Sequence, residues 1–115
     1  MKQLKRSECA ILPLVLKGKW YDMIESGEKR EEYRDATSFW KKRIANVNNK
    51  AHTGCDKPIV VAFSRGYKKQ DIFFVCNAIL LVKTITRWRR RKIEWGEPET
   101  PHYVICLGER VELVD

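Results

Sequence analysis

The feature that most restricts the fold is a long β-rich run in the second half of the chain, Ile72–Thr86. Its β-branched and apolar residues predict two consecutive strands or one strongly curled strand. Shorter β-rich runs lie at Ile59–Phe63, Tyr103–Leu107 and Val111–Val114. Because a flat sheet of such strands would expose unpaired edges, the pattern favours a small closed or half-closed barrel of mixed, mostly antiparallel strands.

In the first half of the chain, strands alternate with helices. Ile11–Lys17 predicts a strand, in which Pro13 indicates an edge or an early position. Lys19–Ser26 has apolar residues at helical spacing and predicts a helix that ends at Gly27. The charged segment Lys29–Arg34 then predicts a short strand.

A second helix is predicted after this strand, with Asp35 or Thr37 as its N-cap. Its apolar face carries Phe39, Trp40, Ile44 and Val47. The polar, turn-rich residues 46–57 predict a loop. Helices therefore come early and strands late, which is an α+β arrangement with about two helices packed over the barrel. Helical spacing also assigns Trp20 and Trp40 to the core, whereas Trp95 is placed on a loop.

The length of 115 residues suits one domain. We expect a flexible N-terminal segment, residues 1–10, followed by a domain over residues 11–115. No apolar stretch approaches the roughly 20 residues that a membrane helix needs, and no secretory signal is recognisable. The sequence therefore predicts a cytoplasmic protein that makes no contact with a membrane.

The charge balance indicates which partners the chain favours. Lys and Arg number 23 and Asp and Glu number 15, which gives a net charge of +8. Such a surplus favours polyanions, RNA and nucleotides among them. The 4 cysteines lie far apart without a C-x-x-C pair, so free thiols are expected. His52-x-x-Cys55 lacks a second ligand pair, so we expect no metal and no cofactor.

The segment Gly27–Arg34 has the richest chemistry, because it places side chains of both charges directly after a helix end. A glycine there lets the backbone turn, so that the following residues can point into a cleft. Lys29 offers an ammonium donor, and Arg34 offers a planar fork for phosphate or carboxylate. Glu32 can hold either cation in place or act as a general base. The alternative is a solvated strand whose charges pair across the sheet.

The spacing Gly27-x-Lys29-x-x-Glu32-x-Arg34 resembles the signature of the ASCH domain family, which is related to the PUA superfamily of RNA-binding barrels. The resemblance covers most of residues 12–109 and implies a PUA-like β-barrel with a cleft lined by the signature residues. Segments on either side of the signature also resemble the family: Leu14–Lys17, Tyr21–Ser26, Phe39–Arg43, Val61–Phe63 with Gly66-Tyr67, and Tyr103–Gly108.

The resemblance also implies activities. Members of the family are widely proposed to bind RNA, and some small relatives are amidohydrolases acting on acylated cytidine, or ribonucleases. The amidohydrolases use the signature lysine, which is matched here by Lys29, a threonine three residues later and a distant glutamate. Glu32 stands at the threonine position in this chain. The resemblance therefore implies Lys29 as a candidate catalytic residue, and Glu32 joins it as a candidate because a carboxylate can act as a general base.

Residues 83–92 form a basic run with an embedded tryptophan and no acid. Cations neutralise phosphates and an indole can stack on a base, so the run predicts a nucleic-acid contact. The alternative is the end of a solvated hairpin. The predicted contact residues are Lys83, Arg87, Trp88, Arg89, Arg90, Arg91 and Lys92.

A second basic turn, Ser64–Lys69, follows a buried strand. Arg65 and Tyr67 could form the other wall of the cleft, with a plain hairpin turn as the alternative. The predicted ligand-binding residues are thus Gly27, Lys29, Glu32, Arg34, Arg65 and Tyr67.

Three functions follow from these patterns. The first is binding of RNA or of a nucleotide or nucleoside. The second is an amidohydrolase or ribonuclease acting on modified nucleosides or RNA. The third is a protein-interaction adaptor with a basic face.

Overall fold

The computed structural model describes residues 1–54, 56–68, 71–84 and 89–115. Short 3-10 turns lie at Arg6–Glu8 and Ile93–Trp95. The strands and helices in chain order are β1 (Gln3–Lys5), β2 (Ala10–Leu16), α1 (Gly18–Glu25), β3 (Glu31–Asp35), α2 (Ser38–His52), β4 (Ile59–Arg65), β5 (Ile72–Val82) and β6 (His102–Val114).

The sheet is organised around the long strand β6. Strand β5 pairs with it antiparallel along one side. On the other side, β3 pairs antiparallel with the first half of β6, and β1 pairs parallel with the second half. Beyond β5 the sheet continues to β4 and then to β2, which pairs parallel with β4. The fold is therefore α+β, with two helices and a curled mixed sheet that forms a half-barrel.

The curl of the sheet has a local cause between β5 and β6. Their register shifts on both sides of Cys76, which marks a β-bulge. A Cβ atom on Gly108 would lie 2.4 Å from Oδ1 of Asn77, so the glycine leaves room for the side chain at the bulge. The sequence predicts two strands separated at Gly108, and this is wrong. Gly108 lies inside one continuous strand, where its missing side chain leaves room for Asn77 of the bulge.

Helix α2 continues to His52, so the predicted loop over residues 46–57 is wrong in its first half. Val47 and Ala51 are buried in the core cluster, with 3% and 0% of their surface exposed. This burial keeps the last turns helical although asparagines dominate their exposed side. Thr37 is the N-cap, and its hydroxyl accepts a hydrogen bond from the Trp40 amide.

Four of the first ten residues, which the sequence predicts to be a flexible segment, lie in strands: Gln3–Lys5 and Ala10. Strand β1 pairs with the second half of β6, and the Glu112 amide donates to the Lys2 carbonyl. This pairing covers an edge of β6 that β3 is too short to reach. Ala10 already lies in β2 and is 2% exposed.

Both helices pack on the strands β2 and β4. Alternate residues of β2 enter the core, and α1 contributes Tyr21 and Ile24. Cys9, Cys76 and Cys106 are free thiols, and burial raises the pKa of Cys76 to about 11. Cys55 lies outside the described residues. Within the described ranges, neither helix has the length and apolar character that crossing a membrane would require.

The central position of β6 predicts how two isoleucine-to-alanine variants, one in the core and one on the surface, differ in their free energy of unfolding. Ile105 in β6 is fully buried in the core cluster, whereas Ile93 is 67% exposed. Ile105→Ala should lower the free energy of unfolding by about 2–5 kcal/mol, because it leaves a cavity. The matched control Ile93→Ala should change it by less than about 0.5 kcal/mol. Urea unfolding measures both, and similar losses would contradict this arrangement of the core.

Candidate functional site

Gly27 sets the direction of the segment that follows α1. Its φ of 85° lies in the left-handed region, which a glycine adopts without strain. The Gly27 amide donates to the Ile24 carbonyl, and the Lys29 amide donates to the Met23 carbonyl at 3.0 Å. The chain thus folds back against the end of α1 before it enters β3, and Lys29 points inward.

Lys29 is buried, with 2% of its surface exposed. Its Nζ lies 2.8 Å from Oε1 of Glu32, and 4.5 Å and 5.4 Å from the ring centroids of Trp20 and Tyr33. Burial lowers the pKa of Lys29, although the neighbouring Glu32 carboxylate acts in the opposite direction. Lys29 therefore loses its proton at a lower pH than an exposed lysine does.

Glu32 holds two cations at once. Its Oε1 accepts from Lys29 and from the Tyr33 amide, at 2.8 Å and 3.0 Å. Its Oε2 accepts from Arg34 at 2.8 Å. Arg34 also donates to the carbonyls of Val15 and Tyr33, and its guanidinium lies 5.2 Å from the centre of the Trp40 ring. Glu32 is only 4% exposed, so one buried carboxylate compensates one of its two cationic neighbours, and the cluster keeps a net positive charge.

This cluster of Lys29, Glu32 and Arg34 lines a cavity of about 560 Å³. Such a volume suits one small organic ligand. Lys17 and Arg43 also line it. Its aromatic lining consists of Trp20, Tyr33, Phe39, Trp40 and Trp95. The cavity thus offers flat apolar faces together with charged hydrogen-bonding groups, an arrangement that accommodates a planar ligand with a polar edge.

The aromatic walls are a part of the site that sequence reasoning missed. Trp20 and Trp40 do pack against the core, as their helical spacing predicts. Each also has a face on the cavity. Spacing along a helix cannot separate these two roles, because a side chain at the border of the core contacts both the core and the cavity.

Arg65 and Tyr67 do not line this cavity, so their predicted place in its wall is wrong. Arg65 pairs with Asp22 at 3.3 Å and borders a separate polar hollow, and Tyr67 is fully exposed. Arg65 pairs in register with Leu16, at the start of α1. Trp20 and Asp22 lie about 200° apart around that helix, so Arg65 meets the side that faces away from the cavity.

The basic run 83–92 acquires the acids that its own sequence lacks. Arg89 pairs with Glu31 and Glu97, and Lys92 pairs with Glu31. Lys83 is exposed, and Arg87 and Trp88 lie outside the described residues. Two further pairs are Arg90 with Glu94 and Arg91 with Glu99. Strand β3 and the loop before β6 thus supply carboxylates to Arg89, Arg90, Arg91 and Lys92, and the nucleic-acid contact of this run stays a prediction.

A second buried polar network holds the loop that carries Trp95, and nothing in the sequence pattern indicates it. Glu97 is 2% exposed and accepts from Arg89 and from the Lys92 amide at 3.0 Å. His102 is fully buried, with Nε2 2.9 Å from the Glu97 carboxylate and Nδ1 2.6 Å from the Thr100 carbonyl. Burial alone raises the pKa of Glu97, but the hydrogen bonds from these partners outweigh it and lower the pKa.

The polar side chains of the site are hydrogen-bonding and proton-transferring groups. Over the described residues, no three side chains among His, Cys, Asp and Glu are grouped as metal ligands would be. The groups present can donate hydrogen bonds, accept them, stack on a flat ring and move a proton.

The network around Glu97 predicts a large and pH-dependent effect of Glu97→Gln. The substitution replaces the carboxylate by a neutral amide, so Arg89 keeps its charged partner Glu31 and His102 loses the carboxylate at its Nε2, which should cost about 3 kcal/mol of stability. Because the pKa of Glu97 is lowered in the folded protein, its contribution is complete above its unfolded pKa near 4.5 and is lost as the pH falls through the folded value.

Unfolding by urea between pH 3 and pH 7 tests this prediction. The variant should lack part of the acid-dependent loss that the unaltered protein shows. Glu94→Gln is the matched control, since Glu94 is exposed and its contact with Arg90 is 3.7 Å long. Equal stability of the two variants would contradict the role given to Glu97.

Comparisons of the chain with protein-family models, with curated proteins and with solved structures find no match.

Proposed function

We propose that this chain binds a ligand containing a nucleobase, which enters the cavity lined by Lys29, Glu32 and Arg34. The observation that carries the proposal is the largely buried cluster of two cations and one carboxylate in an aromatic-walled cavity. The resemblance of Gly27–Arg34 to the ASCH signature supports it independently, and we propose membership of that family on the same grounds.

The aromatic walls match the faces of a base. Stacking of a base on an aromatic side chain contributes about 1–3 kcal/mol and needs no particular base. Trp20 and Trp40 stand beside the two cations of the cluster, at 4.5 Å from Nζ of Lys29 and 5.2 Å from the Arg34 guanidinium. A ligand in the cavity therefore meets aromatic rings and charged groups side by side.

The charge cluster matches the edge of a base. Base edges carry carbonyl acceptors and, in cytosine, adenine and guanine, an exocyclic amino donor. Lys29 has an ammonium group with three N–H donors, and Glu32 has carboxylate oxygens with several acceptor positions. A ligand with both a carbonyl and an amino group can use both residues, which favours such bases over a purely apolar ring.

A second candidate function is hydrolysis of an amide on an acylated nucleoside, favoured by the lowered pKa of Lys29 beside Glu32. The neutral amine takes a proton from water as the water oxygen bonds to the amide carbon. The C–N bond then breaks and the proton passes to the departing amine. The products are a carboxylic acid and the free exocyclic amine, and Glu32 positions Lys29 throughout.

Binding is tested with the four ribonucleoside 5′-monophosphates, by quenching of tryptophan fluorescence. Lys29→Met should weaken binding of the preferred nucleotide by about 10- to 100-fold, because a charged hydrogen bond of about 1.5–3 kcal/mol is lost. Lys68→Met, at an exposed lysine that borders the other hollow, is the matched control.

Thermal melting of the variants separates loss of binding from loss of the fold. Arg34 still compensates Glu32 when Lys29 is replaced, so we expect Lys29→Met to remain folded. Absence of quenching by every nucleotide, or equal binding by the folded Lys29→Met protein, would refute the proposed function.

Hydrolysis is tested with acylated cytidine as substrate. Since the neutral amine is the active form, the rate should rise with pH up to the lowered pKa of Lys29, which lies below its ordinary 10.5. Lys29→Met should abolish turnover and Lys68→Met should retain it. Release of acid at the same rate from the Lys29→Met protein would exclude Lys29 as the base.

A further inference from the structure

We infer that the ligand is one nucleotide of a single-stranded nucleic acid, whose phosphates follow helix α2 along a groove that opens from the cavity. This inference rests on the proposed function. It adds the size of the ligand and the path of its backbone.

The groove lies between β2 and α2 and has a volume of about 530 Å³. Pro13, Phe39 and Arg43 line both this groove and the cavity, so the two hollows adjoin. Ile11 and Val47 also line the groove. A ligand seated in the cavity therefore lies next to the groove along α2.

The cations of the groove lie on one face of α2. Phe39, Lys42, Arg43, Asn46 and Lys50 are spaced three, four or seven residues apart and all line the groove. The distance from Lys42 to Lys50 is about 12 Å along the helix axis, which gives room for more than one phosphate.

These cations lack the compensation found elsewhere on the surface. Helix α2 contains no Asp or Glu. Among the residues that the structure describes, Lys42, Arg43 and Lys50 form no ion pair with a carboxylate. In the basic run, by contrast, Arg89, Arg91 and Lys92 each pair with a partly buried or nearby glutamate, and Arg90 has only a long, exposed contact with Glu94. Part of the unpaired positive charge thus lies beside the cavity, where a polyanion can release its counterions.

An aromatic side chain at the junction selects among polyanions. Phe39 is 57% exposed, and the Arg43 guanidinium lies 4.8 Å from the centre of its ring. A nucleic acid places a flat base next to each phosphate and can contact both groups at once. An acidic peptide or a sulfated sugar offers the anions alone. The alternation of aromatic and cationic side chains therefore favours a polynucleotide.

The test compares a 12-nucleotide RNA, the DNA of the same sequence and the matching mononucleotide on the full chain. We expect either 12-mer to bind at least 10-fold tighter than the mononucleotide at low salt. The double variant Lys42→Gln/Lys50→Gln should lower the slope of log affinity against log salt by about 1.4, which is twice the 0.7 per phosphate of single strands. Neither lysine lines the cavity, so binding of the mononucleotide should change by less than about twofold.

The matched control removes two charges from the basic run, as Lys83→Gln/Arg90→Gln, and should leave the slope unchanged. A control that lowers the slope as much as the α2 variant, or a 12-mer that binds no tighter than the mononucleotide, would overturn the inference. Polyglutamate or heparin that competes as well as the RNA would also overturn it, in favour of another polyanion. The proposed function is refuted by a different result: no mononucleotide binds, or the Lys29→Met protein binds it as tightly as the unaltered protein does.

Discussion

The contact between Lys29 and Glu32 is the constraint on which the site depends. A lysine that is almost fully buried needs a partner, since an isolated charge in an apolar interior is costly. Glu32 meets that need and also binds Arg34, so one carboxylate fixes two cations. When a buried ion pair is replaced by apolar side chains of similar size, the free energy of unfolding often stays the same or rises. Its place beside an open cavity therefore indicates function more than stability.

Two neighbouring glutamates of β3 serve different networks. Glu32 belongs to the cluster at the cavity, whereas Glu31 receives Arg89, Lys92 and the Tyr33 hydroxyl. Successive side chains of a strand point to opposite faces, which allows this division. Tyr33 contacts both networks, because its amide donates to Glu32 and its hydroxyl donates to Glu31. The wall that carries Trp95 and the charge cluster are thereby held by one short strand.

The distribution of charge matters more than its total. A net charge of +8 marks the chain as basic without showing where an anion would bind. In the folded chain, the densest basic segment is largely compensated by glutamates of β3 and of the loop before β6. The cations of α2 are less dense along the sequence, yet they line a groove that adjoins the cavity. Burial and pairing thus change the ranking of basic segments that the sequence suggests.

The sequence by itself determined the features that depend on neighbours along the chain. It predicted the α+β order, the end of α1 at Gly27, a cap at Asp35 or Thr37 and the segment that carries Lys29, Glu32 and Arg34, because turns, caps and periodicity act over a few residues. Only the tertiary structure decided which distant groups meet. Glu97 meets Arg89 and His102, β6 runs through Gly108 because Asn77 stands opposite, and Arg65 turns to Asp22. Those contacts depend on strand register and on the direction of helix faces, which arise when segments far apart in the chain pack together.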